Sequence, residues 1–263
     1  MADILRAIAD YTEKRVAEEE AAEPFGSVRE RALAERLSGE GAFRFERKLA
    51  APGLSLICEV KKASPSKGII SEDFPYLEIA RDYEAGGADC VSCLTEPHWF
   101  LGSAEIFSRI RREISLPMLR KDFTVSLYQV YQARLIGADA ILIIMSITED
   151  GAAAGYFAAA EELGMTAVFE CRDVSQIERA QRIGARVIGV NNRNLRDFSV
   201  DPEKAAKLRA AVAEDRIFVS ESGVMSLEAL RAQREAGADA CLVGEFCMRA
   251  ADRVSLIREM KNV

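Results

Sequence analysis

A short pattern, in which a helix end is followed by glycine, alanine and a charged residue, recurs four times in this chain. Its copies, about 50 residues apart, are Gly87-Ala88-Asp89, Gly137-Ala138-Asp139, Gly184-Ala185-Arg186 and Gly237-Ala238-Asp239. A short apolar run follows each copy, so each predicts a helix capped by glycine and then a buried strand. Because one strand and one helix do not fill such an interval, a second strand is expected in each.

Four further apolar runs occupy these intervals, and each ends in ionisable residues. Together with the runs after the glycines they predict eight strands, at residues 54–61, 89–95, 117–122, 139–145, 165–170, 186–191, 216–221 and 239–243. Helical patterns separate the strands, for example at 126–135 and 226–234, and Asp201-Pro202 predicts a cap followed by proline at the first position of another helix. Eight alternating units predict an α/β fold, a (β/α)8 TIM barrel, with a doubly wound open sheet as the alternative.

The residues before the first strand, 1–50, are predicted to form an N-terminal helical extension. Its first helix carries an apolar stripe made of Ile4, Leu5, Ile8 and Tyr11. A second short helix is predicted at 27–37. The favoured interpretation is a helical cap over one end of the barrel, and the alternative gives the extension part of the substrate pocket. Residues 1–263 are expected to form a single barrel domain.

The composition narrows the classes of partner. Of the 263 residues 49% are hydrophobic, and the net charge of −7 comes from interspersed basic and acidic residues, which argues against nucleic acid and membrane partners. The chain opens without an apolar signal run and holds no 18-residue apolar stretch. Its six cysteines lie mostly in apolar runs, so a reducing cytoplasm is expected. Cys90 and Cys93 are spaced to face opposite sides of a strand, which argues against a metal site there.

The charged strand ends suggest a catalytic site. Glu59 and Lys61, Lys121, Glu170 and Glu221 end the first, third, fifth and seventh strands. In such barrels alternate strands supply one interior layer, and active sites lie at the carboxyl ends of the strands. These five side chains are therefore expected to meet in one polar layer. The alternative is a set of ion pairs that only stabilise the barrel mouth, which is a poor way to gain stability.

Glycine-containing loops predict an anion site beside this layer. The loops after the seventh and eighth strands contain Ser222-Gly223 and Gly244-Glu245, and the loop after the first strand spans residues 63–68 with Ser64. Glycine lets backbone N–H groups approach a phosphate closely. Asn191 ends the sixth strand, where it could bond a substrate hydroxyl, orient a carboxylate or serve as a turn residue. His98 is expected to be a surface residue.

Several of these segments together resemble the indole-3-glycerol phosphate synthase family. The matching stretches lie in order over nearly the whole chain, at 57–66, 94–96, 102–103, 116–123, 169–170, 188–195, 220–223 and 242–245. The resemblance implies a (β/α)8 barrel acting on 1-(2-carboxyphenylamino)-1-deoxyribulose 5-phosphate, a small anionic substrate. It further implies ring closure with loss of CO2 and then water, as a lyase of tryptophan biosynthesis, with no metal or organic cofactor.

The resemblance also implies roles for the charged residues. Lys121 would be the general acid at the substrate carbonyl, with a pKa lowered by burial or by a second lysine. Lys61 would hold the anthranilate carboxylate and act as acid in the dehydration, with Glu59 as base or relay beside it. Glu170 would stabilise positive charge at the aniline nitrogen and accept protons.

The remaining site residues would bind substrate. By the same resemblance Glu221, Asn191 and Ser222 would position it, and the motif containing Arg193 belongs to the binding site. The phosphate would be held by Ser64, Gly223, Gly244 and the backbone N–H of Glu245. Two alternatives are a Schiff-base lyase using Lys121 on a sugar phosphate, and a non-catalytic sugar-phosphate-binding barrel. A monomer is expected.

Overall fold

Eight parallel strands form a closed barrel in the computed structural model, which describes residues 4–194 and 198–263. The strands are Ser55–Val60 (β1), Cys90–Leu94 (β2), Met118–Lys121 (β3), Ala140–Ile144 (β4), Thr166–Cys171 (β5), Val187–Asn191 (β6), Ile217–Glu221 (β7) and Ala240–Val243 (β8). Strand β1 pairs with both β2 and β8, which closes the sheet. The predicted barrel is confirmed, with every strand end within one residue, and the open-sheet alternative is wrong.

Helices surround this barrel. They are Ile4–Ala22 (α1), Phe25–Ala34 (α2), Arg44–Leu49 (α3), Tyr76–Gly86 (α4), Ala104–Glu113 (α5), Leu127–Leu135 (α6), Asp150–Glu162 (α7), Val174–Ile183 (α8), Lys204–Leu208 (α9), Leu227–Glu235 (α10), Glu245–Arg249 (α11) and Arg253–Lys261 (α12). Short 3₁₀ turns lie at Gly39–Gly41 and Arg209–Ala211, and Ala63–Ser64 pairs with Gly68–Ile69 as a small hairpin after β1. In the described part of the chain, none of the helices is long and apolar enough to cross a membrane.

Capping residues fix where two predicted helices begin. The hydroxyl of Ser126 accepts a hydrogen bond from the backbone N–H of Tyr128 at the start of α6, and Ser226 accepts one from Ala229 at the start of α10. The predicted start at Asp201-Pro202 is wrong, because α9 begins at Lys204. The Asp201 carboxylate instead accepts the N–H of Glu203 in a turn that precedes the helix.

The four glycines of the repeated pattern end helices in the left-handed conformation, as predicted. Their φ angles are +94° at Gly87, +91° at Gly137, +106° at Gly184 and +86° at Gly237. A side chain there would strain the backbone, so glycine is the favoured residue for these turns.

The aspartates of the pattern hold the amino-terminal end of the barrel together. Asp89 accepts the backbone N–H of Leu56 on β1, Asp139 that of Met118 on β3, and Asp239 that of Phe218 on β7, at 2.9, 2.8 and 2.7 Å. Each carboxylate, which precedes an even strand, thereby satisfies a donor at the start of the odd strand beside it.

The third copy carries Arg186 in place of aspartate. Its guanidinium bonds Glu46 and Glu161 at 2.8 and 2.7 Å. In this copy, the residue after Gly-Ala therefore forms ion pairs with side chains, whereas the aspartates of the other copies bond backbone N–H groups.

Apolar side chains form an inner layer within the barrel and an outer layer beneath the helices. The inner layer includes Ile57, Leu119, Val168, Val187 and Val219. Cys90 belongs to the inner layer and Cys93 to the outer one, as predicted from their spacing.

The N-terminal extension contacts both ends of the barrel. Leu5 and Ile8 of α1 join the inner apolar layer at the carboxyl end of the strands, and Phe45 and Leu49 of α3 join it at the amino end. The expectation of a cap over one end is therefore incomplete. Because α1 also lines the cavity described next, the pocket interpretation of the extension holds as well.

Candidate active site

A cavity of about 500 Å³ opens at the carboxyl ends of the barrel strands. It is lined by every residue that the sequence predicted for the site: Glu59, Lys61, Ser64, Lys121, Glu170, Asn191, Arg193, Glu221, Ser222, Gly223, Gly244 and Glu245. An apolar wall is formed by Ile4, Leu5, Ile8, Phe100, Phe123, Leu142, Ile144 and Leu242, and its first three residues belong to the extension that the alternative interpretation made part of the pocket. The cavity can thus hold a partly aromatic, partly charged molecule.

Lys121 stands between two carboxylates at the centre of the cavity. Its Nζ lies 2.9 Å from Oε2 of Glu170 and 2.8 Å from Oε2 of Glu221. The three residues come from β3, β5 and β7, so alternate strands supply one polar layer, as predicted. The lysine side chain is 13% exposed, and both glutamates are buried.

These contacts decide the protonation state of the lysine. Burial alone would lower the pKa of Lys121, but the attraction of Glu170 and Glu221 outweighs it and raises that pKa well above its usual value. The expectation of a lowered lysine pKa is therefore wrong. Lys121 holds its proton firmly and is a cation at neutral pH.

The two carboxylates titrate differently although they share one lysine. Burial, opposed by Lys121 and reinforced by the negative charge of Glu170, raises the pKa of Glu221 from 4.5 to about 7. Burial pushes the pKa of Glu170 in the same direction, but Lys121 and the facing side chain of Asn191 hold it below its usual value. Near neutral pH the layer therefore contains one ionised carboxylate and one that readily exchanges a proton.

Lys61 and Glu59 form a second ion pair on the wall supplied by β1. The ammonium of Lys61 contacts Oε1 of Glu59, and the two side chains share a face of the strand, as their spacing predicts. Both line the same cavity as Lys121. The cavity thus holds two lysine–glutamate groupings.

Two glycines leave room for these carboxylates. A Cβ added to Gly189 on β6 would lie 2.2 Å from Oε1 of Glu221, and one added to Gly244 would lie 2.7 Å from Oε1 of Glu59. Both distances are below van der Waals contact. Glycine at these two positions therefore leaves the space that the carboxylates of Glu221 and Glu59 occupy.

The loops predicted to bind an anion meet at the cavity mouth. After β7, Ser222 and Gly223 have φ angles of +65° and +88°, so two successive residues are left-handed. Lys67 in the loop after β1 has its Nζ 3.6 Å from Oε1 of Glu245, at the start of α11. The hydroxyls of Ser64 and Ser66 lie 3.4 Å apart in the first of these loops.

Asn192, which the sequence did not single out, joins the loop after β7 to the start of α9. Its side-chain amide donates to the carbonyl of Ser222 at 3.0 Å and to the hydroxyl of Ser220 at 3.1 Å. Its oxygen accepts the N–H of Ala205 at 2.8 Å. The sequence hint for this residue is its place beside Asn191 at the end of β6, although only Asn191 is predicted there as a site residue.

Asn191 and Arg193 lie on either side of that residue. The side-chain oxygen of Asn191 accepts the N–H of Arg193 at 3.0 Å, so Asn191 serves both as a turn residue and as part of the cavity lining. The guanidinium of Arg193 donates to the carbonyl of Phe198 at the cavity edge. Leu195, the last residue of the matching stretch 188–195, lies outside the described residues.

The aromatic residues of the loop after β2 divide between the cavity and the surface. Phe100 lines the cavity. His98 is exposed, as predicted, and stacks between Tyr11 and Trp99 with ring centroids 5.3 and 4.5 Å away. The buried Glu96 accepts the backbone N–H groups of His98, Trp99 and Phe100 and so fixes the loop.

A closed parallel barrel with buried glutamates and partly buried lysines gathered in a cavity at its carboxyl end defines the class of (β/α)8-barrel enzymes. The family model described as indole-3-glycerol phosphate synthase matches residues 5–260 of this sequence. The chain belongs to the indole-3-glycerol phosphate synthase family.

Relatives named indole-3-glycerol phosphate synthase align over nearly their full length. The one from Ruminiclostridium cellulolyticum is 43% identical over 259 residues, covering 98% of this chain and 99% of its own. The one from Endomicrobium trichonymphae is 40% identical, covering 98% of this chain and all of its own.

Two solved structures share the fold at low sequence identity. The 3-hexulose-6-phosphate synthase from Salmonella typhimurium superposes with a TM-score of 0.63 at 15% identity, over 80% of this chain and 97% of its own. The thiamine phosphate pyrophosphorylase from Pyrococcus furiosus gives 0.61 at 18% identity, over 80% and 94%.

Proposed function

We propose that this barrel catalyses the reaction for which its family is named, as a lyase of tryptophan biosynthesis. It would close the pyrrole ring of 1-(2-carboxyphenylamino)-1-deoxyribulose 5-phosphate and release CO2 and then water to give indole-3-glycerol phosphate. The observation that carries the proposal is the position of Lys121 between Glu170 and Glu221, in one cavity with Lys61 and Glu59.

Lys121 is the proposed general acid for ring closure. When the anthranilate ring attacks the ketone, the carbonyl oxygen gains negative charge and becomes more basic than the lysine. The firmly held proton of Lys121 is then available at neutral pH and passes to that oxygen, which later leaves as water. Glu170, ionised and beside the lysine, stabilises the positive charge that develops at the aniline nitrogen and accepts protons from the intermediate.

Lys61 and Glu59 serve the other end of the substrate. Lys61 attracts the carboxylate that is lost as CO2 and afterwards donates a proton in the dehydration. Glu59, which contacts the ammonium of Lys61, acts as base or proton relay. Glu221, Asn191 and Ser222 position the substrate between these groups.

The phosphate is proposed to lie at the mouth. Ser64, Gly223, Gly244 and the backbone N–H of Glu245 supply hydrogen-bond donors there. Among the residues that the structure describes, four cationic side chains line the cavity, those of Lys61, Lys67, Lys121 and Arg193. They favour a substrate with a carboxylate and a phosphate although the whole chain carries a net charge of −7.

We further propose that residues 1–263 act as one unit, with residues 1–50 completing the pocket. The chain would function as a cytoplasmic monomer without nucleic-acid partners. Its six cysteines are all free, as expected in a reducing compartment.

The two alternatives have less support. A Schiff-base lyase needs Lys121 as a neutral amine, yet its two glutamates favour the ammonium form. A barrel that only binds sugar phosphates would not explain why Lys61 and Glu59 form a second ion pair in the cavity.

The test is indole fluorescence after the purified protein is mixed with the carboxyphenylamino-deoxyribulose phosphate, in the presence of a chelator. A catalytic rise is expected. Irreversible inactivation by borohydride with substrate would identify the Schiff-base lyase instead. Substrate binding without turnover would identify the binding barrel.

A further inference from the structure

Lys204, the first residue of α9, reaches back to the end of strand β6. Its Nζ lies 2.8 Å from the main-chain carbonyl oxygen of Asn191, and the residue is half-buried. Lys204 is not among the residues that the sequence predicts for the site. The ammonium group of Lys204 thus bonds the carbonyl of the last residue of a barrel strand. Because burial of an amine is costly, this arrangement suggests a function for the lysine.

The carbonyl belongs to a residue that faces the catalytic layer. Asn191 and Glu170 line the same cavity from neighbouring strands, and Asn191 helps Lys121 to keep the pKa of the Glu170 carboxyl low. Glu170 in turn bonds the ammonium of Lys121. Hydrogen bonds therefore join Lys204 to Asn191 and Glu170 to Lys121, and these two pairs meet at the neighbouring ends of β6 and β5.

The charges around Lys204 fit this arrangement. Burial lowers the pKa of its ammonium, and the negative charge of Glu170 opposes that shift. Further out, Arg172 acts in the direction of burial, whereas Asp173 and Asp201 act with Glu170. The carboxylate of Glu170 thus favours the charged form of the Lys204 side chain.

We propose that Lys204 is a positioning residue for the reaction, which fixes the end of β6 so that Asn191 holds Glu170 against Lys121. Its single long side chain spans from the start of α9 to the strand end and so anchors both to each other. Asn192 anchors the same segment through Ala205, so the lysine orients Asn191 and is not required for the loop to fold. The inference rests on the proposed synthase function.

The matched control is Lys207, on the same helix. Its side chain is 60% exposed and pairs with Asp201 and Glu203 at 3.3 and 3.2 Å. Lys207→Met removes the same charge from the same short helix without touching Asn191. The variants to compare are Lys204→Met, Lys204→Arg and Lys207→Met, each assayed for kcat, KM and thermal unfolding.

We expect Lys204→Met to lower kcat by about tenfold or more, since small displacements of reacting groups cost at least that much. KM should change less than kcat, because Lys204 contacts none of the proposed phosphate or carboxylate ligands and reaches the substrate only through Asn191. Lys204→Arg, which keeps a cationic donor, should recover most of kcat, and Lys207→Met should match the parent protein.

A Lys204→Met variant with the parent kcat would overturn the inference, as would an equal loss in Lys207→Met or no recovery in Lys204→Arg. If Lys204→Met does not fold, Lys204→Gln is measured by the same criteria. A parent protein without synthase activity would overturn the proposed function and this inference together. An active parent with an unaffected Lys204→Met overturns the inference alone.

Discussion

The largely buried ammonium of Lys121 lies between two carboxylates. These carboxylates keep its proton in the cavity, where it can pass to the substrate. Glu170 and Glu221 raise the pKa of the lysine, and the lysine in turn keeps Glu170 ionised. Burial, reinforced by the negative charge of Glu170, raises the pKa of Glu221 to about 7. One residue of the trio can thus act as acid while another accepts protons.

Replacement of the central lysine should separate binding from chemistry. Lys121→Ala is expected to lower turnover by about 10²-fold or more, because the general acid is lost. Substrate should still bind through Lys61 and the phosphate loops. Indole fluorescence would measure turnover, and quenching of the substrate's own fluorescence would measure binding. Lys207→Ala is the control, and substantial activity in Lys121→Ala would remove the general-acid role.

The raised pKa of Glu221 has a consequence for stability as pH changes. Folding favours its protonated form, so this group contributes most below pH 4.5, its ordinary pKa, and the contribution is lost as pH rises to about 7. Glu221→Gln removes that loss. We expect the variant to gain stability relative to the parent between pH 4.5 and 7, by about 1 to 3 kcal/mol.

Urea unfolding of both proteins at several pH values would measure the difference. A difference that does not change across that window would contradict the assignment. The fully exposed Glu228 supplies the control, and the gap between Glu228→Gln and the parent should not grow from pH 4.5 to 7.

The sequence predicts which residues form the site, but it does not predict their protonation states. Glu59, Lys61, Lys121, Glu170 and Glu221 were found because charges at the ends of apolar strands are costly without a function. The sign of the pKa shift of Lys121 depends on which carboxylates lie within 3 Å, and strand spacing alone does not give that distance.

At the scale of elements, α1 is the part of the extension that reaches the chemistry. Arg15 donates two hydrogen bonds to the buried carboxylate of Asp122, at 3.0 and 3.1 Å, and Asp122 follows Lys121 directly. Arg120 and the hydroxyl of Thr95 bond the same carboxylate. The helix that lines the apolar wall is thereby joined to the strand that carries the general acid.

Loss of this connection should loosen the wall of the pocket. Arg15→Met is expected to raise KM several-fold and to cost about 1 to 3 kcal/mol of unfolding free energy, since a charge-assisted bond is lost. Arg29→Met is the control, because Arg29 docks α2 on Glu162 and Tyr131 away from the cavity. A KM unchanged in Arg15→Met would show that α1 stays seated without Arg15.

The elements differ in how far the sequence determines them. The strands were predicted closely because glycine caps and apolar runs are local signals. The start of α9 was not, because Asp201-Pro202 fits both a helix cap and the turn that the chain adopts. The position of α3 depends on the packing of Phe45 and Leu49 against the inner apolar layer of the barrel. This contact joins segments that are distant in the sequence, so local patterns do not predict it.

At the scale of the whole molecule, the two ends of the barrel have separate tasks. The carboxyl end carries the charged cavity, whereas the amino end carries Asp89, Asp139 and Asp239, which bond backbone N–H groups. Asp139 also pairs with Arg44 and Arg111. Stability and chemistry should therefore respond to different substitutions.

Asp139→Ala tests that separation. The change removes a carboxylate that pairs with Arg44 and Arg111 and accepts the backbone N–H of Met118, so we expect a loss of about 3 kcal/mol or more in unfolding free energy. The kcat of the folded fraction should equal that of the parent. Asp215→Ala, at an exposed position, should change stability by less than about 0.5 kcal/mol. A large fall in kcat for Asp139→Ala would contradict the division between the two ends.

The aspartate bonds at the amino end also mark out modules. Each one joins an odd strand to the even strand that follows it, β1 to β2, β3 to β4 and β7 to β8. Breaks after β2, β4 or β6 would sever none of them. For work that splits, permutes or exchanges pieces of such barrels, these three junctions are the natural cut points. The fragments that contain β1–β2, β3–β4 and β7–β8 each keep an aspartate bond, whereas the β5–β6 fragment carries Arg186 at that position.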